Sequence, residues 1–234
     1  AQIKSVIEML QANPEDRRCV LQMWDANKDL GRNSKDVPCN TSIYFKIRDK
    51  QLHMTVCNRS NDMLWGAYGA NAVHMSMLQE YIAAHLRVDM GTYRQVSDSF
   101  HVYHNEVWDR VKGVEIDPWN YSNLKNPYDT LDGIAYTNFI TDPKVFDWEL
   151  DRFFHIIPED MASYDDDTWV NPAFKNIAVP MVKTFNAHRE RDYIKAYREV
   201  MKILPNDWMT ACFDWIKKRD LSWTLKTEGG NDGK

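Results

Sequence analysis

From Thr41 to Val56, apolar residues fall on alternate positions, Ile43, Phe45 and Ile47 and then Leu52, Met54 and Val56, on either side of Arg48-Asp49-Lys50. Successive side chains of a strand point to opposite faces, so this pattern reads as a β-hairpin with one face buried. A hairpin alone is marginal in water, and its apolar face needs a cover. The segment from Ala70 to Leu86 supplies one: Val73, Met77, Leu78, Tyr81, Ile82 and Leu86 recur at helical spacing and form a stripe fit to pack on the sheet. Ile3, Val6, Ile7 and Leu10 mark an opening helix ended by Asn13-Pro14, and Arg18 to Trp24 and Tyr93 to Tyr103 read as further strands. The polar stretch from Asp25 to Val37, with its Gly31-Arg32-Asn33-Ser34 cluster, is expected to be a mobile loop.

Beyond Gly113 the pattern changes. Asn-, Asp- and Pro-rich loops precede helices expected near Val145 to Phe154, Ala187 to Leu204 and Trp208 to Lys218. Residues 1–113 and 114–234 are therefore expected to be separate regions, the second mainly helical, with Trp208, Phe213 and Trp215 packing inside it and Glu228 to Lys234 fraying.

With 234 residues, 44% of them hydrophobic, the chain can bury a substantial core. No run nears the roughly 20 apolar residues of a membrane span. Ala1-Gln2-Ile3-Lys4 lacks the layout of a signal peptide, so the expectation is a cytoplasmic protein without membrane association. A formal net charge of -5 gives no general drive toward nucleic acid, and a small phosphate compound is the better expectation. Cys19, Cys39, Cys57 and Cys212 have neither CxxC spacing nor a histidine cluster beside them, which points to free thiols and no metal. A start at Ala1, directly in a helical pattern, is compatible with a piece of a longer chain.

Cys39 follows Pro38 where the polar loop meets the first hairpin strand. The far end of the same hairpin carries Asn58-Arg59-Ser60-Asn61-Asp62, and Arg17-Arg18 lies upstream. A lone cysteine is more often a small buried residue than a nucleophile. Taken together, however, Pro38-Cys39-Asn40, Arg59-Ser60-Asn61-Asp62 through Gly66, Asn71, and His101-Val102-Tyr103 resemble, in order and approximate spacing, the active-site segments of one family. That family comprises the thymidylate synthases and the phage deoxycytidylate or deoxyuridylate hydroxymethylases, and the resemblance covers about Ile3 to Arg110.

The resemblance implies an α+β fold of the thymidylate synthase type, three layers built on a twisted mixed sheet, with residues 114–234 as a helical C-terminal extension. It implies that Cys39 adds to C6 of a deoxypyrimidine monophosphate, so that C5 becomes nucleophilic toward the methylene group of 5,10-methylenetetrahydrofolate. A neighbouring arginine charge favours thiolate over thiol. Arg59 and Ser60 match phosphate-binding positions. Arg17 and Arg18 match an arginine pair given across a homodimer interface to the same phosphate, a dianion that guanidinium forks suit. His101 and Tyr103, two residues apart and so on one strand face, match ligands of the sugar hydroxyl. Asp62, Trp65 and Gly66 match positions at the folate.

Three asparagines bear on base and product. Asn71 matches the amide that pairs with uracil, where deoxycytidylate enzymes carry aspartate, provided that one extra residue is allowed within Gly66-Ala67-Tyr68-Gly69. Synthases carry His and Gln where this chain has Asn40 and Asn58, and both changes lean toward hydroxymethylases, with Asn40 expected to help order the water that adds to the methylene. The family's N-terminal region and the synthases' Tyr-Asp-Pro-His-Pro segment have no counterpart in this sequence. The expected activity is 5-hydroxymethylation of dUMP, or of dCMP. Thymidylate synthesis, or a truncated nucleotide-binding homologue without activity, are the alternatives.

Overall fold

The computed structural model describes residues 2–34, 36–104, 138–156 and 168–220. Two compact units divide the chain, Ala1–Trp119 and Asn120–Lys234. The expected change of pattern at Gly113, the loops that follow it and the fraying end at Glu228 to Lys234 lie outside the described residues.

In the first unit, helix α1 (Gln2–Ala12) precedes strand β1 (Val20–Gln22), a single helical turn α2 (Ala26–Asp29), strands β2 (Asn40–Arg48) and β3 (Gln51–Asp62), a π-helical segment (Met63–Ala70), helix α3 (Asn71–Leu86) and strand β4 (Asp89–His101). The sheet is mixed: β1–β2 and β2–β3 are antiparallel, whereas β3–β4 is parallel, with α3 making the crossover. This is an α+β architecture, as expected. The hairpin turn is tight, because Arg48 pairs with Gln51 and both residues between them, Asp49 and Lys50, adopt positive φ, 51° and 58°.

Alternation along the hairpin does what its sequence demands. Ile43, Phe45, Leu52, Met54 and Val56 are buried with Val6, Ile7 and Leu10 of α1 and Met75, Ile82 and Ala83 of α3, which cover one sheet face. On the other face Val20, Tyr44 and Val96 remain open. The buried line of α3 is rotated from the expected stripe: Val73 is exposed, and Gln79 takes a place in the core. Its amide is satisfied there by the carbonyl oxygens of Leu52 at 2.7 Å and Gly91 at 3.1 Å, beside the irregularity in the β3–β4 register between Leu52 and Met54. Beta-strand β4 ends at His101, so Tyr103 stands beyond the strand and not on it.

The second unit has helices α4 (Pro143–Ile156), α5 (Val179–Arg189), α6 (Tyr193–Val200) and α7 (Asn206–Lys217), with a π-helical turn at Phe174–Ala178 running into α5. The single helix expected over Ala187 to Leu204 is broken. Arg191 takes φ 61° and Asp192 caps the new helix by accepting from the Lys195 N–H at 2.9 Å. Ala187, Ala196, Val200, Ile203, Cys212 and Ile216 form the core here, with Trp208, Phe213 and Trp215 packed around it.

A left-handed conformation costs an L-residue roughly 1–2 kcal/mol, part of which glycine returns as backbone entropy in the unfolded chain. Lys50→Gly is therefore expected to raise stability by about 0.5–1 kcal/mol, read as an upward shift of the urea midpoint with unchanged slope.

Candidate active site

Cys39 precedes β2 and would be a loop residue without fixed position were it not for Arg59 on the neighbouring strand. The Arg59 backbone N–H donates to the Cys39 carbonyl at 2.9 Å. Its guanidinium then reaches back along the loop, Nε to the Pro38 carbonyl and Nη2 to that of Val37, both at 2.9 Å. Nη2 also stands 3.9 Å from the Cys39 Sγ, and the Trp24 ring lies against the guanidinium with its centroid 5.6 Å from Cζ. Cys39 is exposed, whereas Cys19 and Cys212 are buried and burial pushes both of their thiols up. All four cysteines are free.

One irregularity moves Asn40 to the inner face. Between Asn40 and Ser42 the register with β3 shifts, so Asn40 pairs with Asn58 while Ser42 pairs with Cys57. Strict alternation would put Asn40 on the open face with Ser42 and Tyr44; a bulge at Thr41 turns it inward. There the Asn40 amide donates to Asn58 Oδ1, and Asn58, only 3% exposed, is left with its own Nδ2 unpartnered and buried. Ser97 sits opposite Asn58 on β4. The polar row continues through Asn61, whose Nδ2 donates to Gln95 Oε1 at 3.0 Å and to Ser97 Oγ at 2.9 Å, and whose Oδ1 accepts from Asn71 Nδ2 at 2.9 Å.

Met63–Ala70 has π-helical bonding but is interrupted at Gly69, whose φ and ψ are not helical. Asn71, the first residue of α3, is half-buried and bonded into the row, while Ala70 is exposed. Gly66 lies so close under this pair that a Cβ there would collide with Asn61 Oδ1 and come within 3.2 Å of Asn71 Nδ2. Asp62 is buried at the head of the segment, where its Oδ1 caps the N–H groups of Leu64 and Trp65 and its Oδ2 accepts from the backbone N–H of Tyr103 at 3.4 Å. Trp65, 64% exposed, is no core residue and presents its ring to solvent. Tyr103 has left the strand, yet its ring meets that of His101 edge-on at 5.1 Å, so the two stay neighbours. Ser60 is half-buried and faces Ser99 across the β3–β4 pair.

Arg17 and Arg18 are elsewhere. They enter β1, whose Val20 pairs with Tyr44 and whose Gln22 pairs with Ser42, so they lie toward the Arg48 end of β2 and Cys39 at the other. Strand rise makes that separation roughly 20 Å. They line an open cleft with Asn13, Glu15, Asp16 and Arg48. Arg18 is held in a fork by Asp16, at 2.7 and 3.0 Å, and this bond takes the Asp16 carboxyl down to about 2.

The family model described as "Thymidylate synthase" matches residues 1–148. The chain belongs to the thymidylate synthase family. Within the family it is 38% identical over 99% of its length to a deoxyuridylate hydroxymethyltransferase of Pseudomonas phage M6, covering 66% of that protein. It is 40% identical over 44% of its length to a deoxyuridylate hydroxymethyltransferase of Bacillus phage SP01, covering 27% of that protein. A putative thymidylate synthase of Methanosarcina barkeri is 41% identical over 48% of the chain and is half covered by it. The chain thus spans from about a quarter to about two thirds of the length of these relatives.

This member of the thymidylate synthase family brings Cys39, Asn40, Asn58 and Arg59 together at one end of the hairpin, and links Asn71 and Gly66 with them along the inner face. Within a single chain it does not bring Arg17 or Arg18 there. Sequence reasoning missed Asn61, Gln95 and Ser97, and the hold of Arg59 on the loop. Asn61 was in view inside Arg59-Ser60-Asn61-Asp62, but only the β3–β4 register shows that three amides and a hydroxyl meet. Among the described residues, no group of three His, Cys, Asp or Glu side chains is placed to hold a metal ion.

Exposure orders the thiols. Brief iodoacetamide treatment of the folded chain is expected to label Cys39 first and Cys19 and Cys212 last, as read by peptide mass mapping. Gly66→Ala is expected to cost about 1–3 kcal/mol by forcing Asn61 away from Asn71, as measured by urea denaturation.

Proposed function

We propose that the chain is the catalytic part of a hydroxymethyltransferase that adds a one-carbon unit to C5 of dUMP. The observation that carries this reading is exposed Cys39, its sulfur 3.9 Å from the Arg59 guanidinium, in a chain similar over 99% of its length to a phage deoxyuridylate hydroxymethyltransferase. In this reading the Cys39 thiolate bonds to C6, and the electron pair of the C5–C6 double bond moves toward C5 and O4. The thymidylate synthase family uses 5,10-methylenetetrahydrofolate, which supplies the methylene group. C5 takes that carbon as one of its two bonds to folate nitrogen opens; C5 then loses its proton as the second carbon–nitrogen bond breaks and tetrahydrofolate departs, water adds at the exocyclic methylene so formed, and Cys39 leaves as thiolate, giving the 5-hydroxymethyl product.

The chain's own residues have distinct tasks. Arg59 has N–H groups beyond those spent on Val37 and Pro38, and with Ser60 it takes the phosphate. His101 and Tyr103 take the sugar hydroxyl. The orphaned Asn58 Nδ2 is a buried donor that lacks an acceptor, and such a group costs about 1–3 kcal/mol until one arrives. A base oxygen or the attacking water, ordered with Asn40, fills that need. Exposed Trp65, beside the capping carboxylate of Asp62, fits the flat ring of a folate, with Gly66 next to it. Arg17 and Arg18, too far from Cys39 in their own chain, serve the site of a second copy joined through the open sheet face, where Val20, Tyr44 and Val96 are exposed. Such an enzyme works in the cytoplasm of a phage-infected bacterium.

Incubating the chain with methylenetetrahydrofolate and either dUMP or dCMP, followed by mass spectrometry of the nucleotide, tests the reading. Hydroxymethyl-dUMP is the expected product; a methyl product together with dihydrofolate would make it a thymidylate synthase. Nucleotide binding without turnover would favour a non-catalytic homologue. Cys39→Ser is expected to lower turnover by several orders of magnitude. For the shared site, Cys39→Ser and Arg17→Ala chains, each nearly inactive alone, are expected to regain activity when mixed, because one site of each mixed dimer has both wild-type residues.

A further inference from the structure

The inner-face amides form a chain with a defined polarity, and its direction is set at one end by the backbone. Gln95 Nε2 donates to the Ala67 carbonyl at 2.8 Å. A carbonyl oxygen only accepts, so the Gln95 side chain can stand only one way round, with Oε1 turned to Asn61. That oxygen accepts from Asn61 Nδ2, which leaves Asn61 Oδ1 turned to Asn71. Asn61 Oδ1 in turn accepts from Asn71 Nδ2. Each amide thus dictates the orientation of the next, and the last in line, Asn71, has its carbonyl oxygen left over, with no bond among the described residues.

We propose that Asn61 and Gln95 are positioning residues that lock the Asn71 amide with its oxygen toward the base, and so select uracil over cytosine. This rests on the reading above, in which Asn71 faces the pyrimidine. Uracil carries a hydrogen on N3, which donates to an oxygen; cytosine has a bare lone pair at N3, which an oxygen repels. A freely rotating asparagine would serve both bases by turning over, since its two ends have similar shapes and opposite polarity. The relay removes that freedom at the cost of one flip-related alternative in each amide. Specificity then comes from two residues that need not touch the nucleotide, and the Gly66 position keeps open the space in which Asn61 and Asn71 meet.

The test is calorimetric binding of dUMP and of dCMP to the full chain and to three variants, each checked for folding by its thermal transition. The wild-type chain is expected to favour dUMP. Asn61→Leu frees Asn71 and is expected to shrink the dUMP:dCMP affinity ratio about tenfold, with dCMP binding rising as dUMP binding falls. Gln95→Met, which keeps side-chain length and removes both polar ends, is expected to act in the same direction and serves where Asn61→Leu does not fold. Asn61→Asp still accepts from Asn71 Nδ2 and is expected to keep the wild-type preference. Equal weakening of both nucleotides by Asn61→Leu or Gln95→Met, with the ratio unchanged, would overturn the relay while leaving the nucleotide reading intact. A wild-type preference for dCMP would overturn the assigned orientation. Binding of neither nucleotide by the wild-type chain would instead remove the functional reading on which the relay depends.

Discussion

The grip of Arg59 on residues 37–39 is the interaction on which the rest of the candidate site depends. A nucleophile on a loop is worth little unless it is held, because small displacements of reacting groups are costly in rate. Here the holding is done by the same side chain whose charge lies beside the sulfur: two carbonyl oxygens fix the guanidinium, and the guanidinium fixes Cys39. The backbone bond from Arg59 to Cys39 extends the antiparallel pairing past the formal start of β2. A hydrophobic hairpin therefore becomes a mount for chemistry at its open end.

Next to that mount, the sheet tolerates a run of buried amides that an apolar core would not contain. Asn40, Asn58 and Asn61 are each under 10% exposed, and buried polar groups of this kind are destabilising unless bonded. Most of their donors and acceptors are in fact used on one another, and the exceptions are informative. Among the described residues, the Asn58 Nδ2 and the Asn71 side-chain oxygen have no hydrogen-bond partner. Polar networks in a low-dielectric setting gain when completed, which is why these two atoms carry the proposed contacts to the base.

Much of the fold could be read from the chain. Alternation from Ile43 to Val56 defined the hairpin and its buried face because strand periodicity is strict, and the helix after it followed from spacing alone. The exact buried line of α3 could not be read, since Gln79 enters the core only because carbonyls of Leu52 and Gly91 are free to receive it. The break at Arg191 was equally hidden, because arginine carries no turn signal and yet takes a left-handed φ there. Of the candidate site, Cys39, Arg59 and Asn71 were in view only through the resemblance that their segments carry together. The inward turn of Asn40 was not, because a bulge changes which face a residue occupies without any mark in the local composition, and the bonds of Asn61 with Gln95 depend on a long-range parallel pairing.

The segment from Met63 to Ala70 is broken at Gly69, where φ −107° and ψ −117° are not helical. Adding one residue to an α-helix rotates everything beyond it by about 100°, which would swing Met75, Ile82 and Ala83 off the sheet. The break at Gly69 spares α3 any such rotation, so the helix seats its apolar side on the sheet whatever the winding of the turns before it. Exposed Tyr68 thus stands on a stretch whose winding can change while the scaffold beneath keeps its phase, and what the surface presents is uncoupled from what holds the core together.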